Sequence, residues 1–110
     1  MLEIYQGDQF PLSFSIENEQ GEPITENDII DMVFSIGNRV RKTYSGGDIT
    51  FDSETNLFII SLTIEDTSGL LVMPYPTQLR VFFADDYVLS FNCGRMVVKA
   101  CLDRGEEENG

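Results

Sequence analysis

Histidine is missing from all 110 residues. The side chain that most often serves as a general base or metal ligand near neutral pH is therefore unavailable. Tryptophan is missing too, and cysteine occurs only as Cys93 and Cys101. Neither thiol has a histidine partner, which excludes a thiol triad. If the chain between them runs as a strand, about 25 Å separates the two cysteines, too far for a disulfide. Both are read as free thiols. Positive charge is scarce: 7 Lys and Arg stand against 19 Asp and Glu, for a net charge of −12. Such a chain repels phosphate backbones and anionic membrane surfaces, so neither nucleic acid nor membrane is an expected partner. No hydrophobic run approaches the roughly 20 residues needed to span a bilayer. Met1-Leu2-Glu3-Ile4-Tyr5 lacks the basic and long apolar regions of a signal peptide. The expected location is a cytoplasm, unless the chain is carried outside within a larger particle.

The parts of other catalytic sites are equally sparse. Ser45-Gly46-Gly47-Asp48 has neither the lysine nor the following helix of a phosphate cradle. Asp52, Glu54 and Asn56 alternate as calcium ligands would, but no loop-closing glycine or final acidic ligand follows. Carboxylates are abundant through composition alone, and a hydrolytic pair must face across a cleft that short loops rarely provide. The expectation is therefore no enzyme, no cofactor, and no catalytic or metal-binding residues.

What is present is a 42% hydrophobic fraction arranged with a period of two. Phe10, Leu12, Phe14 and Ile16 alternate with serines, and Pro11 on the polar parity predicts a strand near a sheet edge. Met32, Phe34 and Ile36 alternate likewise, and Gly37-Asn38 predicts a turn into a basic strand, Arg39 to Thr43. Leu57 to Ile64 is β-branched and aromatic, Glu65 to Leu71 reads as a short helical turn, and Gln78 to Ala84 returns to a strand. Thr25-Glu26-Asn27-Asp28 predicts one further capped turn. Asp85-Asp86 predicts a tight hairpin. Asn92-Cys93-Gly94 predicts another turn before a last strand, Arg95 to Leu102. Together these predict a single all-β domain over 1–104, with an acidic tail over 105–110. The fold is an antiparallel sandwich with one short helical turn, and its core includes Leu12, Phe14, Phe34, Phe58, Ile60, Leu62, Leu79, Val81, Leu89 and Val98.

Three segments carry a resemblance. Ile4-Tyr5-Gln6-Gly7-Asp8-Gln9-Phe10-Pro11-Leu12-Ser13-Phe14 is similar to the opening strand and bulge of a family of small phage modules. That family includes the N-terminal domain of the baseplate upper protein of tailed phages infecting Gram-positive hosts. Asn18-Glu19-Gln20-Gly21-Glu22-Pro23-Ile24 resembles its first turn. Leu57 to Thr67, with Tyr75 and Arg80 beyond, resembles a later strand and helical turn. Met73-Pro74-Tyr75 stands where the family has Gly-x-Tyr. The resemblance implies an immunoglobulin-like sandwich that acts as a structural or adaptor module of a tail or baseplate and binds other virion proteins. The chain would be that module alone, found in the host cytoplasm or incorporated in the virion.

The residues themselves add candidate partner contacts. Arg39 and Arg41 either solvate an edge strand or bind, and with Lys42 they have the charge to meet Asp85 and Asp86 of a neighbouring copy. Met73 and Tyr75 either form an adaptable contact loop or, for Tyr75, pack into the core. Repulsion between acidic copies predicts a monomer or weak oligomer in isolation, with Leu2 to Tyr5 and Arg39 to Thr43 as the edges open to a neighbour. A second function of a different class also fits the charge: a small acidic phage-encoded inhibitor filling the basic groove of a host nuclease or defence protein. An inhibitor should gather its carboxylates on one surface, whereas a virion module should spread them.

Overall fold

The computed structural model describes residues 2–100. Eight strands and two short helical turns account for most of them: β1 (Leu2–Tyr5), β2 (Phe10–Phe14), a 3₁₀ turn (Glu26–Asp28), β3 (Ile29–Ile36), β4 (Val40–Thr43), β5 (Ile49–Asp52), β6 (Leu57–Leu62), α1 (Ile64–Ser68), β7 (Pro74–Phe83) and β8 (Val88–Lys99). They form two sheets, with strand orders β1-β8-β7-β3-β4 and β2-β6-β5. The alternating apolar residues of each strand explain the arrangement, because a half-buried strand needs a second layer to cover its inner face. Met32, Phe34 and Ile36 of β3, with Leu79 and Val81 of β7, meet Phe58, Ile60 and Leu62 of β6 in one core.

The pairing is antiparallel everywhere except at β1, which runs parallel to β8 from Leu2 opposite Met96 to Tyr5 opposite Lys99. The five-stranded sheet is therefore mixed, a correction to the all-antiparallel expectation. The opening and closing strands are far apart in sequence, so no short turn dictates their relative direction. Pro11 does lie on an edge strand, since β2 pairs with β6 alone. The outer strands of the larger sheet are β1 and β4, the two segments expected to be edges.

Asn92-Cys93-Gly94 is not a reversal. β8 runs straight through it, and the register against β7 slips there, Thr77 facing Gly94 and Gln78 facing Asn92. Cys93 is the extra residue of a β-bulge, and Gly94 takes the φ of +88° that the bulge requires. The core expectation also needs revision. Leu89 is 50% exposed, while Leu12 and Phe14 are half-buried and pack against the core from its margin. Ile4, Met32, Ile49, Leu70 and Met96, by contrast, are almost fully enclosed. Cys101, Leu102 and the acidic tail fall outside the described residues.

Two capping boxes fix the helical turns. Thr25 and Asp28 exchange side-chain and backbone hydrogen bonds around the 3₁₀ turn, and Thr63 and Asp66 do so around α1. The cap at Thr25 to Asp28 was expected; at the second turn, expected over Glu65 to Leu71, the helix spans Ile64–Ser68, so Ile64 belongs to it and not to the preceding strand.

Candidate interaction surface

Two of the three segments that carried the resemblance, the first and the last, meet in one structural clasp. The Tyr5 amide donates to the Asp8 carboxylate at 2.9 Å, and the Asp8 amide donates back to the Tyr5 carbonyl at 3.1 Å. The Thr67 hydroxyl, fully buried, donates to the Asp8 carbonyl at 2.7 Å. The Gln6 side-chain amide donates to the Leu70 carbonyl at 2.8 Å. Asp66, the capping acid of α1, also holds Lys42 of β4 in an ion pair. Burial works against ionisation of Asp66, but hydrogen bonds from Lys42 and Thr63 outweigh it and keep the carboxyl below its ordinary value. These residues fasten β1, α1 and β4 together, so the motif has a structural cause.

Lys42 is thus committed inward, at 9% exposure. It follows Val40 on the same parity of β4, and Val40 is buried. The grouping of Lys42 with Arg39 and Arg41 as free positive charge is corrected accordingly. Arg39 lies in the β3–β4 turn and Arg41 on β4, both exposed. Tyr75 is buried: its ring lies against Gly37, and its hydroxyl accepts the Leu71 amide at 2.9 Å. A Cβ on Gly37 would come within 2.9 Å of that ring, and the residue's φ is +52°, so both space and backbone call for glycine. Tyr75 therefore packs into the core and is not an exposed contact. Met73 is exposed, as expected of a contact loop, and the apolar Leu71 and Val72 before it are exposed with it.

Asp85 and Asp86 are exposed at the tip of the β7–β8 hairpin, where Asp86 adopts a φ of 73° and donates its amide to the Phe83 carbonyl. The six candidate residues do not form one surface. Gly37 bonds to the Pro76 carbonyl, which places Arg39, Met73 and Tyr75 at the start of β7. The Asp85-Asp86 tip lies at the other end of that ten-residue strand, about 30 Å away.

A different surface stands out. The two sheets are stitched along one flank by the Tyr44–Asp48 connection: the Asp48 amide bonds to the Thr43 carbonyl, and the Asp48 carbonyl accepts the Ser61 amide. The opposite flank, between β2 and β8, is open. A cleft of about 450 Å³ enters the core there. Leu12, Phe14 and Ile16 form one wall, and Phe34, Leu79 and Phe91 the other. Glu17, Cys93 and Arg95 also line it. Phe14 stacks on the enclosed Phe58 with ring centroids 5.7 Å apart, which anchors the first wall. Beyond the cleft, Tyr87 just before β8 is 64% exposed and Val88 at its start 44%.

Among the described residues no grouping of three or more His, Cys, Asp or Glu is placed to hold a metal ion. No described helix is long and apolar enough to cross a membrane. The molecule is thus a small, mostly-β, sandwich-like domain of two sheets, one of them mixed, with an apolar cleft on one flank. No protein-family model, curated protein or solved structure matches the chain.

Proposed function

We propose that this chain is a non-enzymatic structural or adaptor module of a phage particle, an immunoglobulin-like sandwich that docks on tail or baseplate proteins. The observation that carries the reading is the open β2–β8 flank. It combines an apolar cleft with a strand edge, the features that protein partners use in strand addition. The resemblance of residues 4–14, 18–24 and 57–67 to phage modules supplies the setting. The disposition of the carboxylates favours this reading over a nucleic-acid mimic. Asp8, Glu22, Glu26, Asp28, Asp31, Asp48, Asp52 and Asp66 all accept hydrogen bonds from nearby backbone or side chains, so they serve separate turns and caps along the chain. The protein resides in the host cytoplasm and in the assembled particle.

Gradient-purified particles from a culture carrying the gene test the proposal. Mass spectrometry should find the protein in the particle band at a fixed ratio to the tail proteins. Its absence from particles, together with capture of a basic host nuclease whose binding weakens steeply with salt, would establish the inhibitor reading instead.

A further inference from the structure

The edge of β8 carries information of its own. β1 lies alongside β8 only from Met96 onward, so among the described residues the lane beside Val88 to Arg95 has no strand in it. The Phe83 amide donates to the Tyr87 carbonyl at 2.8 Å, which sets the phase of the β7–β8 ladder. Counting on in twos, Leu89 and Phe91 aim their peptide groups at β7, while Val88, Ser90 and Asn92 aim theirs into the vacant lane. Leu89 and Phe91 sit opposite Val81 and Leu79, both buried, so their side chains lean to the inner face of the sheet. They nonetheless remain 50% and 36% exposed, because the smaller sheet does not reach over them.

From this we infer that two copies of the chain pair through β8, antiparallel about a two-fold axis at Ser90. A two-fold ladder must place a residue opposite its own copy, and Val88–Asn92, the regular run before the bulge, has Ser90 at its centre. Ser90 then exchanges both backbone hydrogen bonds with its counterpart, and Val88 exchanges them with Asn92. Leu89 of each copy lies beside Phe91 of the other, so the two exposed apolar side chains cover one another across the mouth of the cleft.

Charge selects a second copy as the occupant. The chain carries 19 acidic residues, yet none falls between Tyr87 and Ala100, where Arg95 and Lys99 lie. Two molecules of net charge −12 can approach along this edge without opposing carboxylates in the ladder. The same pairing brings Asp85 and Asp86 at the hairpin tip of one copy alongside Arg95 of the other, once at each end of the ladder. A five-residue ladder is smaller than a standard interface, so the dimer is a micromolar one. The pairing takes the β8 edge and leaves the outer edge of β2, the other wall of the cleft, to a particle protein; it forms without one, so failure of the dimer would leave docking through β2 standing, and absence from particles would leave the dimer standing.

Sedimentation equilibrium of the purified protein across concentration tests the pairing. The wild type should pass from monomer to dimer in the micromolar range. Ser90→Pro removes the outward amide at the axis and should yield a monomer whose circular dichroism and melting temperature stay close to wild type. Asp85→Lys and Arg95→Glu should each raise the dimer dissociation constant about tenfold or more, and the double substitution should restore it, which a mere folding defect would not do. A monomer up to about 0.5 mM, or a dimer indifferent to Ser90→Pro and to the charge reversals, would overturn the inference and leave the cleft to another strand or ligand.

Discussion

The two flanks of the sandwich are built from the same kinds of strand and finish differently. Along the β4–β5 flank, polar groups near the core are paired. Lys42 meets Asp66, Asp48 bonds to both sheets, and the Asp31 carboxylate accepts from the Ser45 amide and hydroxyl at 3.0 and 2.9 Å. Along the β2–β8 flank, apolar side chains stop short of a partner, and Leu89 and Phe91 face inward without being covered. One flank is stitched across the two sheets; the other leaves the cleft between β2 and β8 open. The lesson is that alternation guarantees an inner face but not a layer above it.

Substitutions should separate the flanks by size of effect. Phe58→Ala removes a fully enclosed ring that touches Phe14 and Phe51, and should cost about 3–5 kcal/mol by denaturant unfolding. Phe14→Ala, on the cleft wall, should cost clearly less; equal losses would mean that the cleft is closed in solution. Asp66→Ala removes both a capping acid and the partner of an inward lysine, and should cost about 2–4 kcal/mol. Combining it with Lys42→Met should recover part of that loss, because the lysine is then no longer stranded. Thr67→Val leaves the Asp8 carbonyl without its buried donor and should cost about 1–3 kcal/mol.

On the open flank, Leu89→Ser measured on the dilute monomer should change stability by no more than about 0.5 kcal/mol while lowering the binding of an apolar dye. A large loss there would show that the exposed strand is buried by something in the folded protein. The acid limb offers the finest comparison. Asp66 and Asp31 are both held below the ordinary carboxylate value. Burial opposes this in each case; hydrogen bonds from Lys42 and Thr63 outweigh it at Asp66, and those from Ser45 and Met32 outweigh it at Asp31. The unfolded chain therefore binds protons first as the pH drops. The stability these groups contribute is complete above about pH 4 and is lost as the pH falls through their lower native values. Asp66→Asn with Asp31→Asn should flatten that limb of a melting-temperature profile, and an unchanged profile would assign it to other carboxylates.

Much of this molecule is written locally. Ser13 and Ser15 between apolar neighbours make β2 half-buried, and Pro11 confines it to an edge, whatever the rest of the chain does. Thr63 and Asp66, or Thr25 and Asp28, suffice to start a helical turn because a capping box closes within four residues. Asp85-Asp86 turns the chain for the same reason of short range. The parity of β4 even held the sign that Lys42 points inward beside Val40, although its charge argued for the surface.

The rest depended on residues distant in sequence. Nothing near Leu2 or Lys99 fixes their parallel pairing, which follows from where the whole sheet leaves room. The bulge at Cys93 looks like a turn because Asn and Gly serve both; only the ladder with β7 keeps the strand running through it. Leu89 carries the same alternation as Val98, yet one is half exposed and the other enclosed. A period of two states which face a side chain takes. Whether another sheet reaches that face is decided by strand lengths and by where the two sheets are joined, which only the assembled fold contains.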